Sequence, residues 1–159
     1  MSLINSLNSQ LENREKGKIN TMKPPRPKLP KNVEDPLTEL DEEEIARQLT
    51  LYEWNLWSSI QPYECYGLAW TKKDKEKKAP NILSMIAQFN YISSWVATTL
   101  CTTEDPRKRL ALLKKFLLVA KFLKKMGNLN AVMEILSGIN RGPVFRLERT
   151  FAVSVWSQW

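Results

Sequence analysis

The sequence predicts an all-α fold, an orthogonal array of helices preceded by a disordered, proline-rich leader, and three observations carry that prediction. Apolar residues recur at spacings of three and four in successive stretches between residues 41 and 150. Capping residues or prolines stand at the starts of these stretches. No segment alternates convincingly with the period of two that a half-buried strand needs. No heptad persists, which argues against a long coiled coil. With 159 residues and 43% hydrophobic composition, the chain has enough apolar material for one domain core. The expected division is a polar leader over residues 1–38, a helical domain over 39–151 and a tail over 152–159.

The leader is polar and lacks a sustained period, so it is expected to be disordered. Its Pro24, Pro27 and Pro30 recur every third residue and would line one face of a polyproline II helix, the geometry that SH3-type modules accept. The flanking cation those modules want is missing, so a stiff spacer is the favoured role.

The first helix is expected to begin at Asp41 as cap, with Glu44 reaching back in a capping-box pattern. Ile45, Leu49, Tyr52, Leu56 and Ile60 fall on one face, and Trp54 with Trp57 broadens it, as for a helix sandwiched between others. Pro62 ends the helix and starts a turn carrying Tyr63, Cys65 and Tyr66. The lysine-rich residues 71–78 form a solvated loop. A second helix spans residues 81–100, with Ile82, Met85, Ile86, Phe89, Ile92, Val96 and Leu100 inward. A third opens on Asp105 as cap with Pro106 at its first position and stops near Gly127, a natural left-handed C-terminal residue. Its inner stripe is Leu110, Leu113, Leu117, Ala120 and Leu123; Arg107, Lys108, Lys114, Lys115, Lys121 and Lys125 face outward. A fourth helix follows Asn130 as cap and runs over residues 131–139. Pro143 opens a last helix toward Thr150.

Composition excludes several chemistries. The chain has no histidine, which removes the commonest general base and metal ligand and any Ser-His or Cys-His pair. Its 5 glycines are dispersed, so no phosphate-cradling loop exists. Cys65 and Cys101 are too few for a disulfide framework and lack metal spacing, which points to two buried thiols in a reducing cytosol. No cofactor or metal is expected. The net charge of +7 is uneven, with the middle of the chain acidic and residues 71–159 carrying 16 basic and 6 acidic residues. Such runs are more often solvated helix faces than binding surfaces, and no aromatic platform interleaves with the lysines, so a nucleic-acid partner is not expected. With no signal peptide, lipidation motif or membrane-spanning run, the chain reads as soluble and cytoplasmic.

Three ordered blocks carry a resemblance: IARQLTLYEWNLWSSIQPYECYGLAW at residues 45–70, PNILSMIAQFNYISSWVATTL at 80–100 and NLNAVMEILSGINRGPVFRLERTF at 128–151. In that order they resemble the first half of the catalytic domain of Ras-family guanine-nucleotide exchange factors. The resemblance implies a protein that binds a small GTPase of the Ras, Rap or Ral type and stabilises its nucleotide-free state. Such catalysis is differential binding of one conformation over another and needs a shaped surface, not covalent chemistry. It also implies recruitment to the inner membrane surface only indirectly, through the GTPase.

In that family the switch II segment of the GTPase docks on the second helix and on the turn after the fourth. Matched position by position, Leu83, Ile86, Ala87 and Asn90 would supply the second-helix part, and Met133, Asn140 and Phe145 the rest. Periodicity alone favours core for Ile86 and Met133, and Asn140 could be a turn residue tolerating left-handed geometry. Ala87 stands where a basic side chain is frequent in the family, and Phe145 where tyrosine is frequent. After Phe151 the sequence AVSVWSQW continues no family block, which implies a truncated domain, weak or inactive alone, with exposed apolar helix faces. The alternative is a non-catalytic GTPase-binding or scaffold fragment.

Overall fold

In the computed structural model, residues 36–151 are described, and among them the fold is all-α. The elements are α1 (Pro36–Glu39), α2 (Glu42–Ser59), a 3-10 segment (Pro62–Thr71), α3 (Lys75–Lys78), α4 (Pro80–Thr102), α5 (Pro106–Lys125), α6 (Leu129–Ile139), α7 (Gly142–Phe145) and α8 (Glu148–Phe151). The proline-rich stretch at Pro24, Pro27 and Pro30 and the tail beyond Phe151 lie outside the described residues. Residues Pro36–Glu39 are helical, and Leu37 packs against the core, so the fold reaches back into the segment expected as leader. Lys115, expected to face outward, is what holds it there: its Nζ donates to the carbonyls of Thr38 and Leu40 and lies 3.7 Å from Glu42.

Helix α5 is the centre of the molecule. It packs against α2 on one side and α6 on another, which buries Leu113, Phe116, Leu117, Val119, Ala120 and Leu123, a wider face than the single stripe expected. Phe116 meets Trp95 of α4 edge to face, with ring centroids 5.2 Å apart. Both helix starts with an acidic cap are as expected. Asp41 accepts from Glu43 N and Asp105 from Arg107 N, each at 2.9 Å. Gly127 closes α5 at φ +80°.

Six local expectations are corrected. The Glu44 carboxylate takes both oxygens to Arg47 at 2.7 Å and accepts from Gln48 at 2.8 Å, along its own helix. The cap of α6 is Asn128, whose Oδ1 accepts from Ala131 N; Asn130 instead donates to Glu134. The lysine-rich loop contains the short helix α3, and the segment after Asn140 divides into α7 and α8. The largest correction concerns α2. Ile45 and Leu49 pack against the core as expected, but the buried positions beside them are Ala46 and Glu53, while Tyr52, Trp54 and Trp57 are exposed. The helix is apolar over much of its circumference, so spacing alone does not identify which side meets α5. Both thiols expected inside are exposed: Cys65 follows the buried Glu64, and Cys101 follows the buried Leu100, each turned one position off the inward direction.

α4 and α6 approach most closely at Gly138. A Cβ there would lie 2.7 Å from the Ser93 carbonyl oxygen and 2.8 Å from Val96 Cβ, both on α4. Gly138→Ala is therefore expected to push the two helices apart and to cost about 1–3 kcal/mol in denaturant unfolding. Unchanged stability of this variant would show that the helix pair tolerates the added methyl.

Candidate functional site

The site is organised by the N-terminus of α4, and that terminus is held by Glu64. Pro62 starts the 3-10 segment and turns Glu64 inward, where it is fully buried. Its carboxylate accepts from Gln61 N at 3.1 Å, Asn81 N at 2.9 Å, Asn81 Nδ2 at 2.7 Å and Ile82 N at 3.2 Å. Burial by itself pushes this carboxyl up, but the hydrogen bonds from the Asn81 side chain and from the backbone of Gln61, Ile82 and Asn81 outweigh it and hold it below the usual carboxylate range. A charge at the first turn of α4 also complements the helix dipole. The sequence shows a turn after Pro62 but not this role for Glu64, because Asn81 and Ile82 lie 17 and 18 positions away.

From that anchor, α4 runs with Ile92, Val96 and Leu100 in the core, while its first half carries the proposed contact residues on a different face. Leu83 is half-buried; Ala87 and Asn90 are exposed; Ile86 is 42% exposed. On α6, Met133 is 55% exposed although both Glu134 and Ile135 beside it are buried. Phe145 of α7 is 73% exposed. The structure therefore removes the core reading for Ile86 and Met133, and Phe145 faces outward with them. Asn140 caps α6 at φ −83°, outside the left-handed region, so backbone tolerance does not explain an asparagine there. The side-chain amides of Asn90 and Asn140 have no hydrogen-bond partner among the described residues.

The seven residues sit on three elements that pack on one another, since α6 and α7 both lie against α4 and α7 against α6. None of the residues of α4 or α7 is charged. A concavity of about 470 Å³ lies between α2 and α4, lined by Leu40, Ile45, Leu49, Tyr52, Gln88 and Tyr91 among others. It uses a different face of α4, and no sequence pattern announces it. Among the described residues no group of three or more His, Cys, Asp or Glu is placed to hold a metal, and no helix is long and apolar enough to cross a membrane.

Comparison with known proteins gives this surface its family. A family model described as the RasGEF domain matches residues 44–158. The chain belongs to the RasGEF domain family. The match runs past Phe151, over most of the residues assigned to a separate tail. Ras guanine nucleotide exchange factor E of Dictyostelium discoideum is 47% identical over 135 residues, covering 82% of this chain and 13% of that protein. Ras guanine nucleotide exchange factor Y of the same organism is 45% identical over 130 residues, covering 79% and 9% respectively. Exchange factor P is 44% identical over 129 residues, covering 80% and 9%. The RasGEF chain thus spans only 9–13% of the length of these relatives.

Proposed function

We propose that this RasGEF domain docks a small GTPase of the Ras family on the surface formed by α4, α6 and α7 and promotes release of its bound nucleotide. The contact residues are Leu83, Ile86, Ala87, Asn90, Met133, Asn140 and Phe145, with the GTPase of the Ras, Rap or Ral type. The observation that carries this reading is the exposure of Ile86, Met133 and Phe145: large apolar side chains presented outward on mutually packed elements, beside two amides without partners. Such a patch mixes the apolar area and the hydrogen-bonding capacity that protein interfaces use. Recruitment to the inner membrane surface would follow from the GTPase. An SH3-type partner for Pro24, Pro27 and Pro30 stays a subsidiary proposal.

A second reading is favoured by the distribution of these residues, all of which form one docking surface. A surface that binds nucleotide-loaded and nucleotide-free GTPase equally shifts no equilibrium, however tightly it binds. On that reading the 1–159 polypeptide binds or scaffolds a GTPase with weak exchange or none. Capture by nucleotide-free and nucleotide-loaded GTPases, run beside fluorescent-GDP release, separates the two. Preference for the nucleotide-free form with accelerated release supports exchange; equal capture without acceleration supports scaffolding; no capture of any Ras-family GTPase overturns both.

Asn140→Ala is expected to weaken GTPase binding by about 1 kcal/mol, roughly fivefold, while leaving the helical circular dichroism unchanged. An affinity equal to that of the parent chain would remove Asn140 from the contact surface.

A further inference from the structure

Helices α2 and α6 lie against each other, and the Glu53 side chain of α2 stands within hydrogen-bonding reach of Glu134 of α6. Glu53 of α2 is 4% exposed and Glu134 of α6 is fully buried. Asn130 Nδ2 donates to Glu134 Oε1 at 3.0 Å, but Glu53 Oε1 and Glu134 Oε2 have no donor. A buried carboxylate oxygen without a donor is costly, and two buried carboxylates side by side also repel. A single proton removes both penalties: the O–H of one carboxyl donates to the other, which turns two orphaned acceptors into a bonded pair. We propose that Glu53 and Glu134 share a proton in the folded chain, and that this pair clamps α6 to α2.

Among the described residues, no ion pair brings a cation to Glu53 or Glu134. Helices α4 and α7 carry no charged side chain, and Lys121, Lys124 and Lys125 at the end of α5 are exposed. On α2, Arg47 is engaged by Glu44. Burial, followed by the hydrogen bond and the negative charge of Glu53, pushes the Glu134 carboxyl up to about 8, with the Asn130 amide acting the other way. Glu134 is adjacent to Met133 and precedes Asn140 on the same helix, so both glutamates are positioning residues for that part of the surface. This last link rests on the proposed docking reading; the shared proton does not.

The folded chain would hold a proton that the unfolded chain releases above the ordinary carboxyl pKa. Its stabilisation is therefore complete below that value, declines as pH rises, and is lost above about 8. The chain has no histidine, so little else titrates in this window. The test is denaturant unfolding of the 1–159 chain from about pH 5 to pH 8, with Glu134→Gln and Glu53→Gln beside it. The parent's folding constant is expected to fall by up to about tenfold per pH unit. Glu134→Gln, whose neutral amide can donate to Glu53, should fold and lose that slope. Infrared spectra of the native chain at neutral pH should show the carbonyl band of a protonated carboxylic acid, absent in Glu134→Gln. Equal slopes in the parent and Glu134→Gln, or no protonated-carboxyl band in the parent, would overturn the proposal. Should Glu134→Gln not fold, the slope of Glu53→Gln and the parent's infrared band decide between the same two outcomes.

Discussion

Glu64→Ala lowers the thermal unfolding midpoint by on the order of 10 °C, the largest stability effect expected of any single change to the 3-10 segment. The reason is the number of donors left behind. Asn81 N, Asn81 Nδ2, Ile82 N and Gln61 N all converge on one buried carboxylate, and truncation leaves them without an acceptor. Water would have to enter, or the first turn of α4 would fray, taking Leu83 and Ile86 with it. Glutamine is a poor substitute, because its amide keeps one acceptor oxygen and presents an NH₂ group to donors that already face it. The pH dependence has the opposite sign to that of the Glu53–Glu134 pair. The Glu64 carboxyl is held below its ordinary value, so its stabilisation is present above the unfolded pKa and lost as pH falls through the folded one. Melts of the parent and Glu64→Ala, followed by circular dichroism at neutral and acid pH, should therefore converge in acid. Coincident melts at neutral pH would show that the four bonds contribute nothing net.

Ile86→Asp is expected to abolish most GTPase affinity, at a cost of at least about 2 kcal/mol, or roughly thirtyfold. The side chain is 42% exposed in the free chain, so an aspartate there is solvated and the fold should survive. In the complex the same carboxylate would be stripped of water with no cation on α4 or α7 to meet it. Calorimetric titration with a nucleotide-free GTPase reads the loss, and circular dichroism checks the fold. Affinity unchanged by this substitution would move the docking surface away from α4.

Legibility in the sequence followed how local the governing interaction is. Asp41, Asp105, Pro106 and Gly127 act within one helical turn, and each stands where the sequence placed it. The inner face of α5 was legible because a lysine-rich opposite face leaves only one side to bury. For α2 the same reasoning held for Ile45 and Leu49 and failed at Tyr52, Trp54 and Trp57. Trp54 and Trp57 are as hydrophobic as any core residue, and only the position of α5 leaves them outside. Long-range partners were invisible for the same reason: nothing near Glu64 in sequence announces Asn81, and nothing near Glu53 announces Glu134. The proposed contact residues were least legible. Ile86 and Met133 fit a core pattern, and it took the family resemblance to single them out and the three-dimensional packing to show them exposed.

The absence of charge from α4 bears on how fast a partner arrives. On the proposed reading, the encounter surface of Ile86, Ala87, Asn90, Met133 and Phe145 is itself uncharged, so any long-range pull comes from the cations around it, among them Arg141 and Arg146 beside Asn140 and Phe145. Ionic strength would then act on the rate of encounter and leave the packed apolar contacts little changed. Residence time, set by how well the apolar side chains pack, would distinguish one GTPase from another.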